Sequence, residues 1–154
     1  MENQGLLCKL NGNLILSEGK LCIAQYGDIL MEIIGSVHGN YDYKWHFLRR
    51  ELENGTYRVV YESGAISFGP DQYWPWHGGN CYYMNGIVQD GSGIGGSPLP
   101  GVSGEFPTKA AAEAAAKGSE STIVISNGGI SMYYNDGNVT DNRGSIKYRL
   151  IKIS

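Results

Sequence analysis

Oxygen-bearing side chains crowd into one short stretch near the C-terminus of this sequence. Positions 135–142 hold Asn135, Asp136, Asn138, Thr140, Asp141 and Asn142, with no Lys or His among them. Such oxygens suit a hard cation, and calcium takes about six to eight oxygen ligands at roughly 2.3–2.6 Å. The stretch is not an EF-hand, because the D-x-[DN]-x-[DN]-G spacing and its distal Glu are absent. Asn, Asp and Gly are also the ordinary residues of turns, so a plain turn is the alternative interpretation.

Two segments of alternating hydrophobicity flank this stretch. Before it, Ile130, Met132 and Tyr134 alternate with Ser131 and Tyr133, and after it Ile146, Tyr148 and Leu150 alternate with Lys147 and Arg149. A period of two predicts half-buried strands. The oxygen-rich stretch is therefore predicted to be the loop that joins two strands.

A second stretch of interest contains an unusual number of aromatic and polar side chains. Residues 71–79 read D-Q-Y-W-P-W-H-G-G, and the proline and glycines predict a loop. Aromatic faces can cover the C–H face of a sugar, while Asp, Gln and His can bond its hydroxyls. In the alternative, Trp74 and Trp76 are core or interface anchors and His77 is a surface residue.

Length and composition indicate one β-rich domain. The 154 residues are enough for a single domain, 1–154, with a core of its own. The 23 glycines and 11 tyrosines favour tight turns and pleated surfaces. We therefore predict an all-β fold, a small antiparallel β-sandwich or jelly roll, with one short helix near 108–117.

Turn and cap signals divide the chain into predicted elements. A hairpin is predicted at Asn11-Gly12 and another at Ser63-Gly64, with further strands at 20–26, 29–37, 56–61, 81–84 and 121–126. Residues 41–52 fit either a strand or a short helix, and 90–104 read as a Gly/Ser/Pro-rich loop. For the helix, Thr108 is the expected N-cap, Gly118 the stop, and Glu113 can pair with Lys109 and Lys117.

Charge, hydropathy and cysteine usage narrow the function classes. A net charge of −3 argues against nucleic acid as the main partner. The absence of an apolar run of about 20 residues argues against membrane insertion. The polar start Met1-Glu2-Asn3-Gln4 does not resemble a signal peptide. We expect a protein that is cytoplasmic as synthesised, and that leaves the cell, if at all, by a non-classical route or on a particle. The odd cysteine count (Cys8, Cys22, Cys81) favours reduced thiols, with one disulfide plus a free thiol as the alternative.

The oxygen-rich loop also carries a resemblance to a known family. The pattern Y-N-D-x-x-x-T-D-N-x-G-S at 134–145, followed by an alternating strand, resembles the calcium-dependent galactose-binding lectins of the PA-IL type. In that family the loop holds a calcium ion, and the sugar completes the ion's coordination through two ring hydroxyls. The loop is one residue shorter than in the best-known member, and the resemblance covers mainly this loop and its flanking strands.

The resemblance implies two sets of site residues. The metal ligands would be Asp136, Thr140 through its carbonyl, Asp141, Asn142 and the carbonyl of Phe68, with the segment Val37-His38-Gly39 competing for that last role. The sugar-binding residues would be Asp136, Gly137, Asp141, Asn142, Gln72, His77 and Trp76.

The function expected from the resemblance is that of a calcium-dependent lectin for galactose-type glycans. Because single shallow sugar sites bind weakly, we expect a homo-oligomer that gains from multivalency. The alternative is a structural or assembly domain, for example of a phage-like particle, in which calcium is purely structural. We do not expect an enzyme, because the sequence holds no G-x-S-x-G, H-E-x-x-H or recognisable Cys/His signature.

Overall fold

The computed structural model describes residues 6–10, 13–17, 27–39, 48–50, 52–86 and 96–154. The strands are β1 (Leu6–Leu10), β2 (Asn13–Ser17), β3 (Ile29–Ile34), β4 (Leu48–Arg50), β5 (Gly55–Ser67), β6 (Trp76–His77), β7 (Cys81–Asn85), β8 (Ser97–Pro98), β9 (Glu120–Ile125), β10 (Ile130–Tyr134) and β11 (Arg143–Lys152). The helix α1 spans Lys109–Ala116, and a short 3-10 helix spans Val139–Asp141. The predicted strand at 20–26 and the residues 41–47 and 90–95 lie outside the described residues.

Two antiparallel sheets share one apolar core, which confirms the predicted all-β class with one short helix. One sheet has the order β4-β10-β7-β8; the other has the order β3-β11-β5-β6, with β9 also paired to β5. Strands of both sheets contribute to the same cluster of buried side chains, among them Ile33, Val59, Met132, Ile146 and Tyr148. Separately, β1 and β2 form an antiparallel ribbon with Leu10 opposite Asn13, which confirms the first predicted hairpin.

The alternation predicted for β11 is present, whereas β10 departs from it. In β11, Ile146, Tyr148 and Leu150 are buried while Lys147 is exposed. In β10 every residue is buried, including Ser131 and Tyr133. Strand β10 is central in its sheet, between β4 and β7, and its second face is covered locally: the Ser131 hydroxyl donates to the Gly86 carbonyl, and the ring of Tyr133 stacks on Tyr82.

The hairpin predicted at Ser63-Gly64 is wrong, because β5 continues through it as one 13-residue strand. Opposite β11 the register shifts so that Glu62 is the extra residue of a β-bulge. Gly64 has φ +97°, and a Cβ there would lie 2.0 Å from the Ser145 carbonyl oxygen. The glycine thus permits close approach of two strands instead of a chain reversal.

The helix α1 begins and ends as predicted. The Thr108 hydroxyl accepts a hydrogen bond from the Ala111 amide at 3.1 Å, and Gly118 has φ +84° after the last turn. The predicted Lys109–Glu113 pair is present at 3.9 Å. Ala112 and Ala116 are buried, and a Cβ on Gly78 would lie 2.6 Å from the Ala112 carbonyl oxygen, so small residues let the helix pack closely on the chain beside β6.

Strand pairing brings four loops to one end of the sandwich. Tyr134 at the end of β10 lies opposite Cys81 at the start of β7. At the start of β11, Arg143 lies opposite Ser67 and Ser145 lies opposite Ile34. The segments 35–39, 68–75, 78–80 and 135–142 therefore meet at this end, where loops commonly carry function. In the described part of the chain, no helix has the length and apolar character needed to cross a bilayer.

Candidate functional site

The loop 135–142 is ordered by its own polar groups. Asp136 Oδ1 accepts a hydrogen bond from the Asn138 amide at 3.3 Å, which forms an Asx turn. The Thr140 hydroxyl donates to Asn138 Oδ1 at 3.0 Å, and both of these residues are exposed. The Thr140 hydroxyl and Asn138 Oδ1 thus bond to each other, and the side-chain oxygens of Asp136, Asp141 and Asn142 take no part in that hydrogen bond.

Three buried oxygens of this loop lack a hydrogen-bond partner. They are Asp136 Oδ2, Asp141 Oδ1 and Asn142 Oδ1. Asn142 is only 6% exposed, and its Nδ2 donates to the Gly35 carbonyl at 3.1 Å, which identifies Oδ1 as the unpartnered atom of the amide. Buried polar atoms are nearly always paired, so three unpaired oxygens in one loop need an explanation.

These oxygens are of the type that could hold a divalent cation. The unpaired atoms are all oxygens, the ligand type that calcium prefers, and the two carboxylates can balance the two charges of the ion. They are side chains that the family resemblance assigns to the metal. Within the described residues no three His, Cys, Asp or Glu side chains form a metal-binding group. A cation in this loop would therefore depend on the Asn142 amide, backbone carbonyls, water or a ligand to complete its coordination.

Glycines hold the β3 end against this loop. Gly35 donates its amide to the Gly144 carbonyl at 3.0 Å, and a Cβ on Gly35 would lie 3.2 Å from the Asn142 Cβ. At Gly39 a Cβ would lie 2.0 Å from Val139 Cγ1 and 3.1 Å from the Asp136 carbonyl oxygen. Only glycine allows the segment 35–39 to lie this close, so these two residues position the loop. Gly39 belongs to the segment predicted as a possible backbone ligand, whereas Gly35 was not among the predicted site residues.

Both segments proposed for the backbone ligand border the loop. The His38 carbonyl accepts a hydrogen bond from the Tyr134 amide at 2.9 Å. The Phe68 ring lies 5.4 Å from the Tyr134 ring, centroid to centroid. On either side of Phe68, Arg143 donates to the Ser67 hydroxyl at 3.3 Å and to the Gly69 carbonyl at 2.7 Å. Phe68 as a ligand stays a prediction, as does the Thr140 carbonyl.

A cavity of about 420 Å³ opens beside the loop. Its walls include Phe68, His77, Asn80, Tyr82, Leu99 and Glu105. Asn80 joins it to the loop, since its Nδ2 donates to the Asn135 carbonyl at 2.8 Å and its own carbonyl accepts from the Asn135 amide at 3.0 Å. Asn80 adopts φ 65°, a left-handed conformation that Asn tolerates better than most residues.

His77 is the predicted sugar-contacting residue that the structure places in this cavity. It is 8% exposed, its ring lies 4.1 Å from the Phe68 ring, and its Nε2 has no hydrogen-bond partner. Burial lowers the pKa of His77 below 6.5, against the opposing effects of Glu105, a backbone hydrogen bond at Gly104 and Asp136. The ring is therefore mostly neutral at pH 7 and can exchange a hydrogen bond with a ligand hydroxyl.

The other predicted sugar-contacting residues lie outside the cavity. Gln72 is exposed on the turn after β5, and Gly137 is exposed at the tip of the loop. Trp76 lies beneath the Arg143 guanidinium, 4.9 Å from its carbon, and its amide donates to the Phe106 carbonyl at 2.8 Å. The structure thus gives Trp76 a packing role, while sugar contacts by Gln72, Gly137 and Trp76 remain predictions.

Residues 98–105 form much of the cavity wall, and of these 98–104 were predicted only as part of a loop. No sequence signal indicated that this loop would pack against Phe68 and His77, because the contact depends on the fold.

Comparison with protein-family models, curated proteins and solved structures finds no match to this chain.

Proposed function

We propose that this chain is a calcium-dependent carbohydrate-binding protein for galactose-type glycans. The observation that carries the proposal is the set of three buried, unpartnered oxygens on Asp136, Asp141 and Asn142. A loop without a ligand has no reason to bury two carboxylate oxygens unpaired, because such burial costs about 1–3 kcal/mol per group or more when the group is charged. A cation removes that cost.

Within the proposal, the loop residues bind the ion and orient the sugar. Bound calcium would supply coordination positions for two sugar hydroxyls, as the family resemblance implies. Asp136, Asp141 and Asn142 would hold the ion and could accept hydrogen bonds from the same hydroxyls, while Gly137, at the exposed tip, would leave room for the ring. His77 is a further hydrogen-bonding group at the edge of the site.

Weak single sites make an oligomer part of the proposal. Shallow sites that use a few polar contacts bind weakly on their own, and repetition of the site raises the avidity without new contacts. We propose a homo-oligomer for this reason, and analytical ultracentrifugation of the purified chain with and without calcium tests it.

The test of the function is calorimetric titration of galactose into the calcium-loaded protein. The same titration follows after chelation and with Asp136→Asn. Asp71→Asn is the matched control, because Asp71 Oδ1 also accepts from the amide two residues on, that of Tyr73, at 2.9 Å. The proposal expects heat from wild type and Asp71→Asn in calcium only, and none from Asp136→Asn. Equal heat after chelation, or from Asp136→Asn, would contradict it.

A structural role for calcium is the second candidate. It is favoured by the bond from Asn142 to Gly35, which ties the loop to the β3 end, 107 residues away in sequence. A cation there would stiffen the junction of two loops in an assembly domain. Calcium that raises the melting temperature, with no heat from galactose or from a glycan array, would support this function over the first.

An enzymatic role finds no support at the cavity. Cys81 and His77 both line it, and a thiol beside an imidazole is a possible nucleophile and base. Burial, however, raises the pKa of the Cys81 thiol to about 12, against a smaller opposing effect of Tyr148. Almost no thiolate is present at neutral pH, and we therefore propose binding without catalysis.

A further inference from the structure

The cavity beside the loop and the candidate cation ligands are separate parts of one end of the sandwich. None of Asp136, Asp141 and Asn142 lines the cavity, yet Asn80 lines it and is hydrogen-bonded twice to Asn135, the residue before Asp136. A ligand that contacts both places would therefore have to extend from the loop oxygens past Asn80 into the cavity.

The cavity walls indicate an amphipathic ligand. Apolar surface comes from Phe68, Tyr82, Leu99 and Val102. Polar side chains in the wall include His77, which is more than nine-tenths buried and whose Nε2 has no hydrogen-bond partner. A sugar ring has this combination of a C–H face and oriented hydroxyls, and the volume of about 420 Å³ is within the usual size of small-molecule sites.

The charges in the cavity favour a neutral sugar. The described lining contains no Lys or Arg, and Glu105 contributes a carboxylate at the rim. An anionic group, such as a sugar carboxylate or a phosphate, would be desolvated there without a cationic partner and repelled by Glu105.

We infer that the cavity binds the neutral sugar residue that follows a cation-bound terminal sugar, so that the preferred ligand is a neutral disaccharide or longer glycan. This inference rests on the proposed function, because it takes the terminal sugar to be held at the cation loop. The loop 98–105 then determines which glycans are preferred, by shaping the wall that the second residue meets.

The experiment compares galactose with neutral disaccharides that end in galactose, titrated calorimetrically in calcium. The probes are lactose, melibiose and α-1,4-galactobiose, which present the second ring at different angles. The cavity variant is Ser103→Trp, since Ser103 is an exposed lining residue whose replacement fills the cavity without entering the core. The matched control is Ser126→Trp, because Ser126 is also exposed and its amide donates to Asn85 Oδ1, at the opposite end of β7.

We expect at least one disaccharide to bind wild type and Ser126→Trp at least tenfold more tightly than galactose. In Ser103→Trp that advantage should fall below twofold while the affinity for galactose is unchanged. Calcium-dependent binding of galactose with no disaccharide advantage overturns this inference alone. The inference is also overturned if Ser103→Trp keeps the advantage, or if it loses galactose as well. If no sugar binds in calcium, the proposed function fails and this inference fails with it.

Discussion

The effect of Asp136→Asn on the free energy of unfolding is expected to change sign between calcium and chelator. In the chelated protein the Asp136 carboxylate has one buried, unpartnered oxygen, in the same loop as two others. The amide keeps the Oδ1 acceptor of the Asx turn and removes one negative charge from the loop. Since an unsatisfied buried group costs about 1–3 kcal/mol, we expect chelated Asp136→Asn to be more stable than chelated wild type by about 1 kcal/mol.

Calcium should invert that order. An ion that binds only the folded state stabilises by about 2.7 kcal/mol at 100 times its dissociation constant. For a chain of this length, about 2–4 °C per kcal/mol gives wild type a rise in melting temperature of roughly 5–10 °C. Asp136→Asn lacks one of the two carboxylates and should gain less than about 1 kcal/mol at the same calcium concentration.

The assay is urea unfolding followed by tryptophan fluorescence, with a parallel thermal scan, in calcium and in chelator. Asp71→Asn serves as the control, because it changes the same kind of turn on an exposed loop, and it should follow wild type in both conditions. An equal calcium-induced gain in stability for Asp136→Asn and wild type would refute a cation site at Asp136. The absence of any gain for wild type would refute it as well.

Three further predictions concern the two histidines, the contact of Gly39 with the loop 135–142, and a buried hydroxyl. Burial lowers the pKa of His38 and His77 below 6.5, so the folded state binds fewer protons than the unfolded state in the window below that pH. The free energy of unfolding of the chelated protein should therefore fall as the pH drops through this window, by up to about 1.4 kcal/mol per pH unit for each histidine. His38→Asn can still accept a hydrogen bond from the Ile34 amide, and it should remove the contribution of His38 to this pH dependence in urea titrations. Stability that rises as the pH drops through the window would contradict the prediction. Gly39→Ala should destabilise the fold by about 1–3 kcal/mol and weaken the calcium response, because the added methyl would clash with Val139. The double variant Gly39→Ala/Val139→Ala should restore both the stability and the calcium response. Failure of that rescue would show that the steric contact is not the cause. Ser121→Ala should leave stability unchanged or raise it by up to about 1 kcal/mol, because the Ser121 hydroxyl is buried without a partner, and a clear loss in urea unfolding would reveal a missing hydrogen bond.

Local patterns in the sequence were sufficient for most of the strands and for the helix. The alternation of Ile146, Tyr148 and Leu150 identified the buried face of β11, and Thr108 and Gly118 marked the ends of α1. The signal at Ser63-Gly64 was misleading because glycine serves both in turns and in bulges. Which of the two occurs depends on β11, the partner strand, about 80 residues further along the chain.

The candidate site could likewise be predicted only in part from the sequence. Composition alone indicated that Asp136, Asp141 and Asn142 could bind a cation, since all three fall in one short loop. The placement of Asn142 depends on Gly35, whose carbonyl accepts from its Nδ2, and no local pattern connects these two residues. The cavity likewise forms only where residues 98–105 meet Phe68 and His77, so sequence could identify His77 as chemically suitable but could not place it in a cavity.

The most direct test of calcium-dependent sugar binding is a crystal structure grown with calcium and galactose and measured for anomalous scattering. We expect one anomalous peak at about 2.3–2.6 Å from Asp136 Oδ2, Asp141 Oδ1 and Asn142 Oδ1, with two galactose hydroxyls in the remaining coordination. A sugar bound away from the ion, or the three oxygens still unpartnered in saturating calcium, would contradict the proposed function.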